Sequence, residues 1–174
     1  MVTEKHEWIE AALTRYERPL ISYTQRITGD LERARDVVQD AFTRLCSQEP
    51  GKLDGRLAPW LYTVCRNRAL DVVKKDGRMA LLEDRKAEAY PSNGIGPRAA
   101  ASRQETRSLI HETVATLPED QQEAFRLKFQ DDLTYREIGQ VMGKSLGTVS
   151  TLISSALNTL RQKLGTTLDT AQEV

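Results

Sequence analysis

From Asp132 to Leu164 the chain reads DLTYREIGQVMGKSLGTVSTLISSALNTLRQKL, and few arrangements accommodate that order of signals. Thr134 and Glu137 stand at capping-box spacing: the Thr hydroxyl can accept from the backbone N–H three residues on, and the Glu carboxylate can reach back. Ile138, Val141 and Met142 then form one short apolar face. Gly143 suits a left-handed turn because it has no Cβ to clash. Ser145 is placed to cap a second helix. In that helix Val149, Leu152, Ile153, Ala156, Leu157, Leu160 and Leu164 keep the three-four step of a buried stripe. Two helices on a tight turn can brace on a DNA backbone and present an N-terminus to base edges, as a helix-turn-helix does. The same residues also describe a plain αα-hairpin.

The second helix is poor in charge, with no Lys, Arg, Asp or Glu between Lys144 and Arg161. Phosphate neutralisation supplies much of the affinity for DNA. Here only hydroxyls, Asn158 and the helix N-terminal amides are on offer, so docking on DNA is expected to be weak. Composition adds no global attraction, since Lys plus Arg and Asp plus Glu both number 25 in 174 residues. Any electrostatic call for nucleic acid therefore comes from local patches.

The chain has room for one or two small domains, and where an apolar period is sustained it is helical. Trp8, Ile9, Ala12, Leu13, Tyr16, Leu20, Ile21 and Ile27 form the first stripe, with Pro19 expected to kink or break it. Asp30 can cap the next helix, Leu31 to Cys46, whose apolar face carries Leu31, Ala34, Val38, Ala41, Phe42 and Leu45. Asp36, Gln39, Asp40 and Thr43 project elsewhere. After a loop from Ser47 to Gly55, a third helix is expected from Arg56 to Lys75, with Leu57, Trp60, Leu61, Val64, Cys65, Ala69 and Val72 inward. Three such helices can close a core of their own. The third helix also carries a basic track, Arg66, Arg68, Lys74, Lys75 and Arg78 against Asp71 and Asp76, with Trp60, Tyr62 and Asn67 beside it. Rings next to cations suit a single strand, whose bases stack while the charges hold its backbone. A solvated helix face describes the same residues.

Residues 79–104 lose the apolar period, and Tyr90 to Pro97 reads as a flexible linker. Helicity resumes near Ser102 with Leu109, Ile110, Thr113, Val114 and Leu117. Pro118 opens a further helix with Ala124, Phe125, Leu127 and Phe129. The expected architecture is all-α: domain 1–78, linker 79–104, and a helix-turn-helix domain with a short tail over 105–174. Cys46 and Cys65 lack metal-site spacing and both are expected buried. No cofactor, metal or catalytic site is expected: His6 and His111 have no partner at a recognisable spacing, and no phosphate-binding Gly loop occurs. No apolar run spans a membrane, and Met1 to Glu10 is too polar for a signal peptide, so a cytoplasmic protein is expected.

Three blocks together resemble the bacterial extracytoplasmic-function class of sigma factors, the initiation factors of RNA polymerase. ARDVVQDAFTRL, Ala34 to Leu45, is similar to the family's polymerase-binding helix. APWLYTVCRNRALDVVKK, Ala58 to Lys75, is similar to the helix that opens and reads the −10 element. The stretch Leu117 to Ile153 is similar to the module that reads the −35 element. The resemblance implies that Asp36, Gln39 and Asp40 meet core RNA polymerase. It places Trp60, Arg66, Asn67, Arg68, Lys74 and Lys75 along the −10 strand, and Lys144, Ser145, Gly147, Thr148 and Thr151 on the −35 duplex. It further implies promoter DNA and an anti-sigma factor as partners. The family commonly has Lys, Arg or His where this chain has Ser150, Leu152, Ser154, Ser155 and Leu157. That difference leaves a rival reading, a sigma-like interaction protein with little −35 contact.

If the domain boundary is where composition places it, limited proteolysis of the free protein should cut first between Tyr90 and Arg98. Preferred cleavage between Leu31 and Cys46 would contradict the division.

Overall fold

The helix starts follow from short-range hydrogen bonds that the sequence spells out. The computed structural model describes residues 2–80 and 110–172, every regular element of which is helical. The chain divides into two compact units, Met1–Tyr90 and Pro91–Val174.

In the first unit α1 spans Val2–Thr28, α2 Leu31–Cys46 and α3 Leu57–Ala80, with a short 3-10 turn at Pro50–Lys52. Asp30 caps α2 as expected: its Oδ1 accepts from the Arg33 N–H at 2.8 Å. Each of the three helices packs on the other two. Leu20 of α1, Leu45 of α2 and Leu61 of α3 are fully buried, each contributing about 1.5–3 kcal/mol by leaving water. The Tyr23 and Tyr62 rings meet edge-on, centroids 5.1 Å apart.

Several expectations for this unit need correction. Pro19 does not break α1, which runs through it; buried Leu20, Tyr23 and Thr24 fasten the helix directly after the proline. The third helix continues past Lys75 to Ala80. Leu31 is exposed rather than inward, because the first residue of α2 precedes the point where its neighbours cover that face. Cys46 is exposed at the end of the same helix, while Cys65 is buried. Burial pushes the Cys65 thiol up from 9.0 to about 12, and the nearby Thr24 hydroxyl offsets a little of that rise. Thr24 Oγ1 is itself buried without a hydrogen bond of ordinary geometry.

In the second unit α4 is described over residues 110–115, followed by α5 at Glu119–Phe129, α6 at Tyr135–Met142 and α7 at Leu146–Gln172. The predicted contributions of Ser102 and Leu109 lie outside the described residues, as does the linker centre, Tyr90 to Pro97. Val114, Leu117, Phe125, Ala156 and Leu160 form one core cluster, with Ile110 and Leu157 at its margin, and Leu127, Ile138, Val149 and Ile153 are fully buried as well. Pro118 is the cap of α5 rather than its first turn; its carbonyl accepts from Gln121 N–H at 2.9 Å and Gln122 N–H at 3.0 Å. Phe129 is exposed, not inward, and leans on Phe125 with centroids 4.6 Å apart.

The turn between α6 and α7 depends on two glycines. Gly143 adopts φ 65°, as its position predicts. Gly139 was not singled out by the sequence. A Cβ there would stand 2.8 Å from the Lys144 carbonyl oxygen, and the Gly139 carbonyl accepts from the Lys144 N–H at 2.9 Å. The obstruction is backbone, which cannot rotate away. Gly139→Ala should therefore lower stability in urea unfolding by about 1–3 kcal/mol, the range for overpacking. Gly147→Ala, whose Cβ would meet only Ser145 Oγ at 3.9 Å, should be neutral or slightly stabilising. Equal stability of the Gly139 variant and the parent would show that the helices separate at no cost.

Candidate nucleic-acid interface

One face of α2 is unoccupied by the core. Asp36, Gln39, Asp40 and Thr43 are all exposed, and their three-four spacing puts them in a single stripe. Ala34, Val38, Ala41, Phe42 and Leu45 are buried on the other side. The stripe is acidic and polar, as the sequence predicts.

The residues assigned to α3 do not form one track. Helical geometry turns about 100° per residue, so Arg66 and Arg68 point about 200° apart. Asn67, Lys74 and Lys75 are exposed, with half-buried Trp60 on the same side and the exposed carboxylate of Asp71 among them. Tyr62 is not available for stacking; it is buried against Tyr23. Arg66 stands on one shoulder, half-buried. Arg68 stands on the other, where its Nε donates to Asp40 Oδ2 at 3.1 Å. Thus a residue assigned to polymerase and one assigned to DNA hold each other across α2 and α3. Both are about half exposed, so the pair stabilises the fold by no more than about 1 kcal/mol and weakens with salt. A second pair, Arg33 with Asp76, ties the same two helices.

In the second unit the capping box is complete: Thr134 Oγ1 accepts from Glu137 N–H at 3.3 Å, and Glu137 Oε2 accepts from Thr134 N–H at 2.7 Å. This fixes the start of α6. Ser145 caps α7, its Oγ accepting from Thr148 N–H at 3.1 Å. Val149, Ile153, Ala156 and Leu160 are buried, so Ser145, Gly147, Thr148 and Thr151 face outward on α7 with Ser154 and Asn158. The five residues assigned to the −35 duplex thus start one helix together.

Lys144 is less available than its position suggests. Its Nζ donates to Asp120 Oδ2 at 2.8 Å, and its side chain is only 26% exposed. Lys128, near the end of α5, donates to the Leu133 carbonyl at 3.3 Å. Among the described residues no group of acidic, His and Cys side chains could hold a metal ion, and no helix is long and apolar enough to cross a membrane.

With this geometry in view, the similarities to known proteins fall into place. Residues 12–79 match the family described as Sigma-70 region 2, and residues 107–160 match Sigma-70, region 4. The ECF RNA polymerase sigma factor SigW of Bacillus subtilis is 25% identical over 158 residues, spanning 86% of this chain and 84% of that relative. The ECF RNA polymerase sigma-E factor of Escherichia coli is 29% identical over 163 residues, spanning 87% and 84%. A solved structure of the sigma factor RpoE from Bartonella quintana, in complex with the anti-sigma factor NepR, shares the fold. Its TM-score is 0.62 at 22% identity, over 90% of this chain and 96% of that one.

The Lys144–Asp120 pair gives a direct expectation for salt dependence. With Lys144 engaged and no other charged side chain on α7 before Arg161, duplex binding through the second unit should show a log–log salt slope of only about −2 to −4. Asp120→Asn should release the ammonium and steepen that slope by about −0.9, the contribution of one neutralised phosphate. A steep slope in the parent protein would locate its basic contacts elsewhere.

Proposed function

We propose, because this chain belongs to the sigma-70 family and to its extracytoplasmic-function class, that its two units divide promoter-directed initiation between them. The protein is a transcription initiation factor that directs RNA polymerase to promoters. In our reading the Asp36, Gln39 and Asp40 stripe of α2 docks on core polymerase, an acidic face meeting a basic one. Trp60, Asn67, Lys74 and Lys75 on α3, flanked by Arg66 and Arg68, hold the unpaired −10 strand. There aromatic stacking and charge trap bases whose unstacking costs a few kcal/mol. Lys144, Ser145, Gly147, Thr148 and Thr151 on α7 meet the −35 duplex. The family's members are initiation factors without catalysis of their own, and we extend that to this chain, assigning bond formation to the polymerase and the site of action to the cytoplasm. An anti-sigma factor that covers these faces is the expected regulator, as NepR is in complex with the Bartonella quintana protein.

The observation that carries this reading is the acidic stripe left uncovered on α2, a helix otherwise committed to the core. The uncharged exposed face of α7, with Lys144 engaged by Asp120, favours a second reading, in which −35 contact is slight and polymerase binding is the main activity.

Core polymerase pull-down followed by transcription from a promoter library separates the two. Asp36→Ala should weaken polymerase binding about tenfold, or about 1.4 kcal/mol. It is a cleaner variant than one at Asp40, which also holds Arg68. Asn67→Ala should leave polymerase binding intact and reduce open-complex formation by about 1–3 kcal/mol, the range for one base contact. Unchanged polymerase affinity in the Asp36 variant would remove the stripe from the interface. Promoter choice indifferent to the −35 sequence would favour the second reading.

A further inference from the structure

Leu146 is the most exposed large apolar side chain among the described residues, at 56%. It is the first residue of α7 and stands between the capping Ser145 and Gly147, in the middle of the face assigned to duplex DNA. Burial does not account for it, and its neighbours sharpen the question. Thr151 Oγ1 donates its proton to the Gly147 carbonyl at 3.0 Å. Ser145 Oγ accepts from Thr148 N–H and shares a proton with Thr148 Oγ1 at 2.9 Å. Lys144 is held by Asp120. The side-chain polar hydrogens of this helix start are therefore largely engaged within the protein, which leaves the first-turn amides of Leu146 and Gly147 as its donors, and no charged side chain follows until Arg161.

A face that offers few donors and no free charge can still discriminate bases through apolar contact. In the major groove the apolar group that marks one base is the C5-methyl of thymine, which Ala, Thr methyl groups and aromatic rings are known to touch. We infer that Leu146 is a specificity-determining residue that packs on a thymine C5-methyl of the bound duplex, with the methyl groups of Thr148 and Thr151 extending the same apolar surface. The inference rests on the reading that α7 meets duplex DNA, and it adds what α7 reads there.

The test uses the full-length protein and two randomised duplex libraries that differ only in carrying thymine or uracil, bases that pair alike and differ by the methyl. The parent should enrich thymine at one or more positions. Replacing that thymine by uracil in the selected duplex should weaken binding about fourfold, the equilibrium equivalent of about 0.8 kcal/mol for one buried carbon. Leu146→Ala should bring the thymine-to-uracil ratio close to one at a single position, and Leu146→Met, which keeps apolar bulk, should largely preserve it. Equal affinity of the parent for both duplexes, or an undiminished ratio in Leu146→Ala, overturns the inference while leaving duplex recognition standing. Failure to enrich any sequence from either library would instead remove the duplex reading, and the inference with it.

Discussion

Between Gly139 and Lys144 two backbones approach more closely than any side chain permits. The contact sets where α7 begins relative to α6, and nearly everything about the second unit's outer surface depends on that position. The capping box at Thr134 fixes the entry to α6, Gly143 turns the chain in the left-handed region, and Ser145 then opens α7. Steric exclusion in the middle and hydrogen bonds at both ends leave this turn little freedom. A surface built on so short a connection is pre-positioned, so a contact made through it would cost little further ordering.

Electrostatics in both units is turned inward as much as outward. Asp40 with Arg68, Arg33 with Asp76 and Lys144 with Asp120 each join separate elements of one unit. Such exposed pairs add little stability, but they hold long side chains in defined places. They also lower the number of cations ready to meet phosphate. For a protein with balanced charge this favours affinity drawn from a partner's surface and from shape over affinity drawn from bulk attraction.

What could be read from the sequence was local. Asp30, Thr134 with Glu137, Gly143 and Ser145 act over three or four residues, and all five hold the roles their spacing predicts. The stripes of α2 and α7 were legible for the same reason. The misreadings have a common source in what lies across from a residue. Leu31, Cys46 and Phe129 carry the right chemistry for a core but sit at helix ends that no neighbour covers. Tyr62 looked available beside cations until Tyr23 closed over it. The partners of Arg68 and Lys144 stand 28 and 24 residues away, beyond any periodicity. Gly139 could have been noticed as a glycine inside a helix, where it costs about 1 kcal/mol against alanine and so asks for a reason.

The division of α7 into two faces carries a consequence for how such a chain can change over time. Val149, Ile153, Ala156 and Leu160 hold the helix in place, while Thr148, Thr151, Ser154 and Asn158 lie on its solvent side. Substitutions on a solvent face usually alter stability by no more than about 0.5 kcal/mol. The outward residues are therefore close to neutral with respect to folding, and a lineage can explore them one at a time without passing through an unfolded intermediate. Duplicated copies of such a gene could diverge on this face while inheriting one scaffold.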